Sequence, residues 1–339
     1  MFKQAKPLFL ICETPLHVGS GDNLGIIDLP IQRERHTAFP KVESSSIKGS
    51  LRTAFEEKAK AKNEEEQINE LIKIQATFGY DEANLPNEVK NAFTLGEELK
   101  SAFVGCLGFT DARILLFPVK SMKGVFAWIT CPQVLEKFVD EMKLCGCDDF
   151  DFLRGITEKS VPNSCELLVE NNQNEKQIVL EEFTFEVRQE ENCGELARCL
   201  SKILFEKQSY WKEKLEKNLV VLRNDDFRDF VEHSTEVVTR TKIDNETGTV
   251  KDGALFTEEL LPTDSIMYAL VLASPIQPMF LNESKFIESG KFAEFSEEIA
   301  VFKYFEGTLD KITNIFQLGG NATLGKGIVR MVFSNNGGV

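Results

Sequence analysis

The sequence predicts an α+β chain in which hairpin-connected strands mix with helices, and three observations carry that expectation. Apolar runs and amphipathic stretches follow one another without the regular strand–helix alternation of a doubly wound sheet. Several strand-like runs are joined by tight-turn chemistry, as antiparallel pairing requires. The chain has 339 residues, 42% hydrophobic and 27% charged, which can bury a sizeable core and excludes a peptide-sized, disordered or collagen-like protein. No internal repeat is visible.

In chain order, residues 8–12 (LFLIC) form an apolar run before Pro15, a buried strand that ends in the glycine-rich loop 17–25. The loop continues through Ile27, Asp28, Leu29 and Pro30 into Gln32-Arg33-Glu34-Arg35-His36, too long for a simple connector. Ser44, Ser45 and Ser46 offer N-caps to a helix whose apolar positions Ile47, Leu51, Ala54 and Phe55 recur at helical spacing, with Lys48 and Arg52 on an adjacent stripe. The charged run EEKAKAKNEEEQINE then marks residues ~56–104 as a peripheral helical insertion. Residues 108–119 and 124–131 read as strands joined by a turn, followed by a helix at 132–143. More strand character lies at 177–187, before an amphipathic helix carrying Leu196, Leu200, Leu204, Trp211 and Leu215. Residues 236–243 alternate as a strand, Asp244-Asn245-Glu246-Thr247-Gly248 supplies the turn, and the chain returns from Thr249: a projecting hairpin with Val238, Arg240 and Lys242 on one face. A strand at 266–272, a helix bearing Phe295, Ile299, Phe302, Leu309 and Phe316, and a last strand at 328–333 complete the chain.

Lys+Arg 39 against Asp+Glu 54 gives a net charge of −15, so a polyanion must be met by a local basic face and not by the field of the whole chain. No run reaches the length of a membrane span and the start lacks a signal peptide's apolar stretch, which points to the cytoplasm. Eight cysteines form no CxxC pair and read as reduced thiols, Cys145-Gly-Cys147 included.

Three glycine-rich or acidic features bear on chemistry. Gly320-Asn-Ala-Thr-Leu-Gly325-Lys326-Gly327 departs from the P-loop pattern where Gly327 replaces the magnesium-holding Ser or Thr, and the following IVRMVF reads as strand, so an ATPase loop is rejected. Such a segment still lets backbone N–H groups and Lys326 approach a phosphate chain, unless it is only a tight turn. The loop around Gly19 and Gly21 fails the dinucleotide spacing but resembles the C-terminal loop in kind. Together with Lys48 and Arg52, these loops can supply donors for successive phosphates; a solvated helix face is the alternative for the two basic residues. His17 is either an acid or base in its loop or a structural histidine holding loop carbonyls. Asp28, between Ile27 and Leu29, either binds a divalent ion, orients a ribose 2′-hydroxyl, or ion-pairs with Arg33 or Arg35.

The string HVGSGDNLGIIDLPIQRERHTAFPKVESSSIKGSLR, with GFTDARILLFPVKSMKGVFAWITCP, RTKIDNETGTVKDGALFTEELLP and QLGGNATLGKGIV in order behind it, resembles the RAMP-type repeated backbone subunit of type III-B CRISPR (Cmr) effector complexes. The resemblance implies a single RAMP domain over 1–339 with a modified ferredoxin-like, RRM-type βαββαβ core, inserted fingers, a thumb hairpin at ~234–262 and an RNA-binding glycine loop at ~317–329. It implies copies stacked head to tail in a helix along a CRISPR guide RNA, beside other Cmr-complex subunits, and a complementary single-stranded target RNA. RNA-binding residues would be His17, Gly19, Gly21, Lys48, Arg52, Arg240, Lys242, Gly319, Gly320, Gly325, Lys326 and Gly327. The family's nuclease aspartate falls on Asp28, in a reaction that uses a divalent metal ion, Mg or Mn, with Asp28 holding the ion or orienting the hydroxyl. A non-catalytic scaffold that only binds and measures guide RNA is the competing reading. The lead into the helix at Lys41-Val42-Glu43-Ser44 departs from the family's glycine-containing pattern, and residues 63–99 are too variable to align.

Overall fold

The computed structural model describes residues 4–21, 25–81, 85–90, 102–171, 173–244, 246–251, 254–275, 297–312 and 314–333. The architecture is mixed α+β. The chain, read from sequence as one domain, divides into two compact units, each assembled from three separate stretches.

One unit comprises Met1–Pro7, Ser44–Asp111 and Leu270–Phe316. Its first helix, Ser44–Lys60, buries Ile47, Leu51, Phe55 and Ala59. The serines expected as caps belong to the helix itself, and the opening N–H of Ser44 is satisfied by Asp111 Oδ1 at 2.9 Å. Asn63 caps the next helix, Glu64–Phe78, by accepting the Glu66 N–H at 3.0 Å. The segment expected to be peripheral supplies core here. Its acidic residues lie in the first two turns, and Ile72, Ile74, Ala76 and Phe78 of the later turns face inward, with Lys73 between them. Phe78 meets Phe55 edge-on at 5.2 Å, and Phe55 stacks on Phe305 of helix Glu298–Lys311 at 5.7 Å. That helix is shorter than expected: Ile299 is exposed, Phe316 lies in the strand Ile315–Gln317, and Phe295 falls outside the described residues.

The second unit comprises Leu8–Glu43, Ala112–Ala269 and Gln317–Val339. The fully buried run 8–12 ends the strand Gln4–Cys12 and pairs antiparallel with Ile328–Phe333, Leu10 opposite Met331. Ala112–Lys120 and Phe126–Thr130 form a hairpin, and Leu219–Val221 adds in parallel to the latter. Phe138, from helix Pro132–Leu144, packs on Phe9 at 6.2 Å and Tyr268 at 5.0 Å, so sheet and helix share one aromatic core. The expected amphipathic helix is two helices, Glu191–Leu204 and Ser209–Asn218, because Phe205 leaves the helical path with its N–H still bonded to Ser201 and its ring buried.

The hairpin forms from Glu236–Arg240 and Phe256–Leu260, Val238 opposite Glu258. The first arm is shorter than the alternation suggests; beyond Arg240 an isolated bridge joins Ile243 to Val250. Asp244 closes the turn as its residue type demands, Oδ1 accepting the N–H groups of Glu246 at 2.8 Å and Thr247 at 3.1 Å. Val237 and Val238 are exposed. The loop after the last glycine segment enters a strand and no helix, so the P-loop is excluded on structure as on sequence.

Candidate active site and nucleic-acid interface

Asp28 lies on the surface, on a loop laid beside the returning strand of the hairpin. Its Oδ2 accepts the backbone N–H of Thr257 at 2.7 Å and the Thr257 hydroxyl at 2.9 Å. These two donors, the backbone N–H first, hold its carboxyl below the usual aspartate value, so the group is an anion at neutral pH. The alternative that Asp28 pairs with Arg33 is removed. Arg33 donates to the carbonyls of Ala38 at 2.8 Å and Val231 at 2.9 Å and pairs with Glu259 at 2.5 Å.

Behind that loop, two adjacent glutamates of the hairpin strand are buried, Glu258 at 3% and Glu259 at 2% exposure. Successive strand side chains face opposite ways, so the two serve different neighbours. Glu259 takes Arg33 and the Thr235 hydroxyl on Oε1, and the Ile31 N–H on Oε2 at 3.0 Å. Glu258 takes Arg240 on Oε2 at 2.6 Å and Asn321 on Oε1 at 2.5 Å, with His17 Nε2 at 3.7 Å. Sequence reasoning missed both glutamates, Thr257 and Asn321. The one available signal was two carboxylates inside the otherwise apolar pattern FTEELL.

His17 is buried, its Nδ1 2.7 Å from the Glu259 carbonyl oxygen, which is the structural role rather than that of an exposed acid or base. The glycine segments wrap around it. Gly320 donates its N–H to the His17 carbonyl at 2.9 Å, and a Cβ on Gly319 would lie 2.2 Å from that same oxygen. Gly19 packs on the imidazole, and a Cβ on Gly327 would lie 2.0 Å from the Leu318 carbonyl oxygen. Gly319 and Gly327 are required by close approach to backbone and Gly19 by the imidazole, whereas a Cβ on Gly320 would meet His17 only at ordinary contact distance. Gly21 and Gly325, both at positive φ, face open space, and Lys326 between two turns is half-exposed. Gly19, Gly21, Gly319, Gly320 and Gly325 are all exposed, as is Lys242, and with the half-exposed Lys326 they remain accessible to a polyanion, whereas Gly327 is buried and Arg240 is committed to Glu258.

Lys48 and Arg52 belong to the other unit. Arg52 is held by Glu56 at 2.8 Å, Gln75 Oε1 at 2.9 Å and the Gly79 carbonyl at 3.1 Å, tying two helices together. Lys48 is half-buried, and burial, then the Arg52 charge, pulls its ammonium pKa down.

Among the described residues no group of three or more His, Cys, Asp or Glu is placed to hold a metal ion. All eight cysteines are free, and burial pushes the thiols of Cys12, Cys106 and Cys131 up to about 12, which makes them inert. No helix among the described residues is long and apolar enough to cross a membrane.

An anionic carboxylate on a surface loop, backed by a glycine segment and the foot of a hairpin, on an α+β scaffold, is the setting in which a wider comparison becomes informative. A model of the RAMP superfamily matches residues 9–330, and the chain belongs to that superfamily. More particularly, it is similar to the CRISPR system Cmr endoribonuclease Cmr4 of Pyrococcus furiosus, 33% identical over 329 residues, 96% of this chain and 95% of that protein. The crystal structure of oligomeric Cmr4 from Pyrococcus furiosus superposes with a TM-score of 0.63 at 28% identity, over 98% of each chain. A chain in the type III-B Cmr-beta complex bound to cognate target RNA, 20% identical over 98% of each chain, shares the fold with a TM-score of 0.63.

Proposed function

We propose that this protein is the repeated backbone subunit of a type III-B CRISPR effector, an endoribonuclease that stacks head to tail along guide RNA and cuts the paired target once per subunit at Asp28. In this reading the sheet carries a ferredoxin-like core, the hairpin is the thumb that wedges into the guide–target duplex, and the exposed glycines Gly19, Gly21, Gly319, Gly320 and Gly325 with Lys326 and Lys242 meet RNA phosphates. The complex works in the cytoplasm beside other Cmr subunits. The observation that carries the proposal is Asp28 itself: exposed, ionised, and held at the foot of the hairpin.

The chemistry follows from what such a group can do. A nucleotide unstacked beside the hairpin can adopt the in-line geometry that an A-form duplex denies. Its 2′-hydroxyl donates a hydrogen bond to the Asp28 carboxylate, which turns the oxygen toward the neighbouring phosphorus. The 2′-oxygen bonds to phosphorus, its proton leaves to solvent, and the 5′-oxygen departs and is protonated by water, giving a 2′,3′-cyclic phosphate and a 5′-hydroxyl. A carboxyl with a lowered pKa is a weak base, so Asp28 orients more than it abstracts. These steps balance with this chain's own carboxylate and water, and the divalent-ion dependence expected from the resemblance is read directly by cutting in EDTA against Mg or Mn.

The test is Asp28→Asn in the guide-loaded assembly with complementary RNA. Cyclic-phosphate products at regular spacing are expected to vanish while guide binding persists. Undiminished cutting by the variant would reduce the chain to a scaffold that binds and measures RNA.

A further inference from the structure

Thr257 sits second in the strand Phe256–Leu260 and holds Asp28 through both its backbone and its side chain. Its N–H and hydroxyl converge on Asp28 Oδ2 at 2.7 and 2.9 Å, and the hydroxyl oxygen accepts the Asp28 backbone N–H at 3.0 Å. The hydroxyl therefore donates and accepts at once, fixing the carboxylate relative to its own backbone. One residue on, the Leu29 N–H donates to the Thr257 carbonyl and the Glu259 N–H to the Leu29 carbonyl, both at 3.0 Å. The loop is thus clipped to the strand on either side of the carboxylate. A valine would serve strand formation at this place as well as threonine, so strand propensity does not account for the hydroxyl.

We propose that Thr257 is a positioning residue for target cutting: by committing Oδ2 to the hairpin strand it fixes the direction in which Oδ1 is offered to the 2′-hydroxyl. The inference rests on Asp28 being the reacting carboxylate. It also makes the hairpin a mechanical partner of the reaction, since a strand that shifts against RNA carries Asp28 with it. The buried charged neighbours are otherwise engaged. On the strand, Glu258 faces Arg240, Asn321 and His17, and Glu259 faces Arg33; on the loop, Arg35 and His36 are exposed. The low pKa of Asp28 arises from Thr257 and from its own backbone, with no charged side chain contributing.

The experiment compares Thr257→Val and Thr257→Ser in the full chain assembled with guide RNA, using complementary target RNA. Thr257→Val keeps the shape and the backbone N–H but loses the hydroxyl; kcat is expected to fall by up to ~100-fold, the cost of a small displacement of a reacting group, with KM and guide affinity unchanged. The acid limb of the pH–rate profile moves upward, because one of the bonds that stabilise the anion is gone, and Thr257→Ser restores both rate and profile. Wild-type rate and profile in Thr257→Val, alongside a dead Asp28→Asn, overturn the role of Thr257 alone; an active Asp28→Asn overturns the catalytic carboxylate instead. If Thr257→Val does not assemble, the Asp28 carboxyl is titrated by carbon NMR in free Thr257→Ser and Thr257→Ala chains. A pKa raised only in the alanine variant supports the proposal, and equal pKa values overturn it.

Discussion

Gly319 and Gly325 lie in the same loop at nearly the same backbone angle, φ 74° and 69°, yet they do different work. Gly319 is fixed by contact: its missing Cβ leaves room for the His17 carbonyl. Gly325 has nothing within 4 Å. Gly319→Ala is expected to cost about 2–5 kcal/mol, left-handed strain and overpacking together, and Gly325→Ala only about 1–2 kcal/mol, with thermal unfolding as the measurement. Both glycines are exposed, so wherever both variants fold, their RNA affinities, compared by filter binding, read which of the two a phosphate approaches. Asp28 shows the same difference between type and role. Its folded-state pKa lies below the ordinary value, so the anion persists as pH falls into the range where a free aspartate takes up its proton. The motif around Asp28 made the residue legible in the sequence, and its apolar neighbours with an exposed acid hinted at function. Thr257 was invisible, since its partner lies 229 positions away and no local pattern encodes such a meeting.

The hairpin was legible as an element because alternation and an Asp-led turn are local properties, but its arms are shorter than expected: the first ends at Arg240 and the returning strand begins at Phe256, not at Thr249. What could not be read was its foot. A Glu-Glu pair in a strand reads as a solvent face, and here both side chains are buried because Arg33, Arg240, Asn321 and Thr235 arrive from distant loops and strands. A buried ion pair broken on one side leaves an uncompensated charge, so Glu259→Leu is expected to destabilise the fold by about 3–5 kcal/mol in chemical denaturation. The double variant Arg33→Met with Glu259→Leu recovers most of that loss if the pair, and not the packing, is the cause. The helix Glu64–Phe78 failed in the sequence reading for the reverse reason: its charged opening turns masked the buried ones that follow.

At the scale of the molecule, the proposed function requires a chain carrying a net charge of −15 to meet RNA through a few placed donors against an unfavourable overall field. Guide affinity is therefore expected to drop steeply with salt, log K falling against log salt by about 0.7 per phosphate contacted, as read by filter binding over a range of potassium chloride; a flat response would contradict phosphate-led binding. Membership in the superfamily was legible over nearly the whole chain because its glycine and acidic motifs sit in sequence order, whereas the division into two units was not, because neither unit is a continuous stretch. That interleaving constrains what shortening the gene can achieve. Each unit borrows its opening, middle and closing pieces from the full length of the polypeptide, so no nested deletion isolates the unit that carries Asp28, and a miniaturised version would need rewired connections rather than a scissor cut.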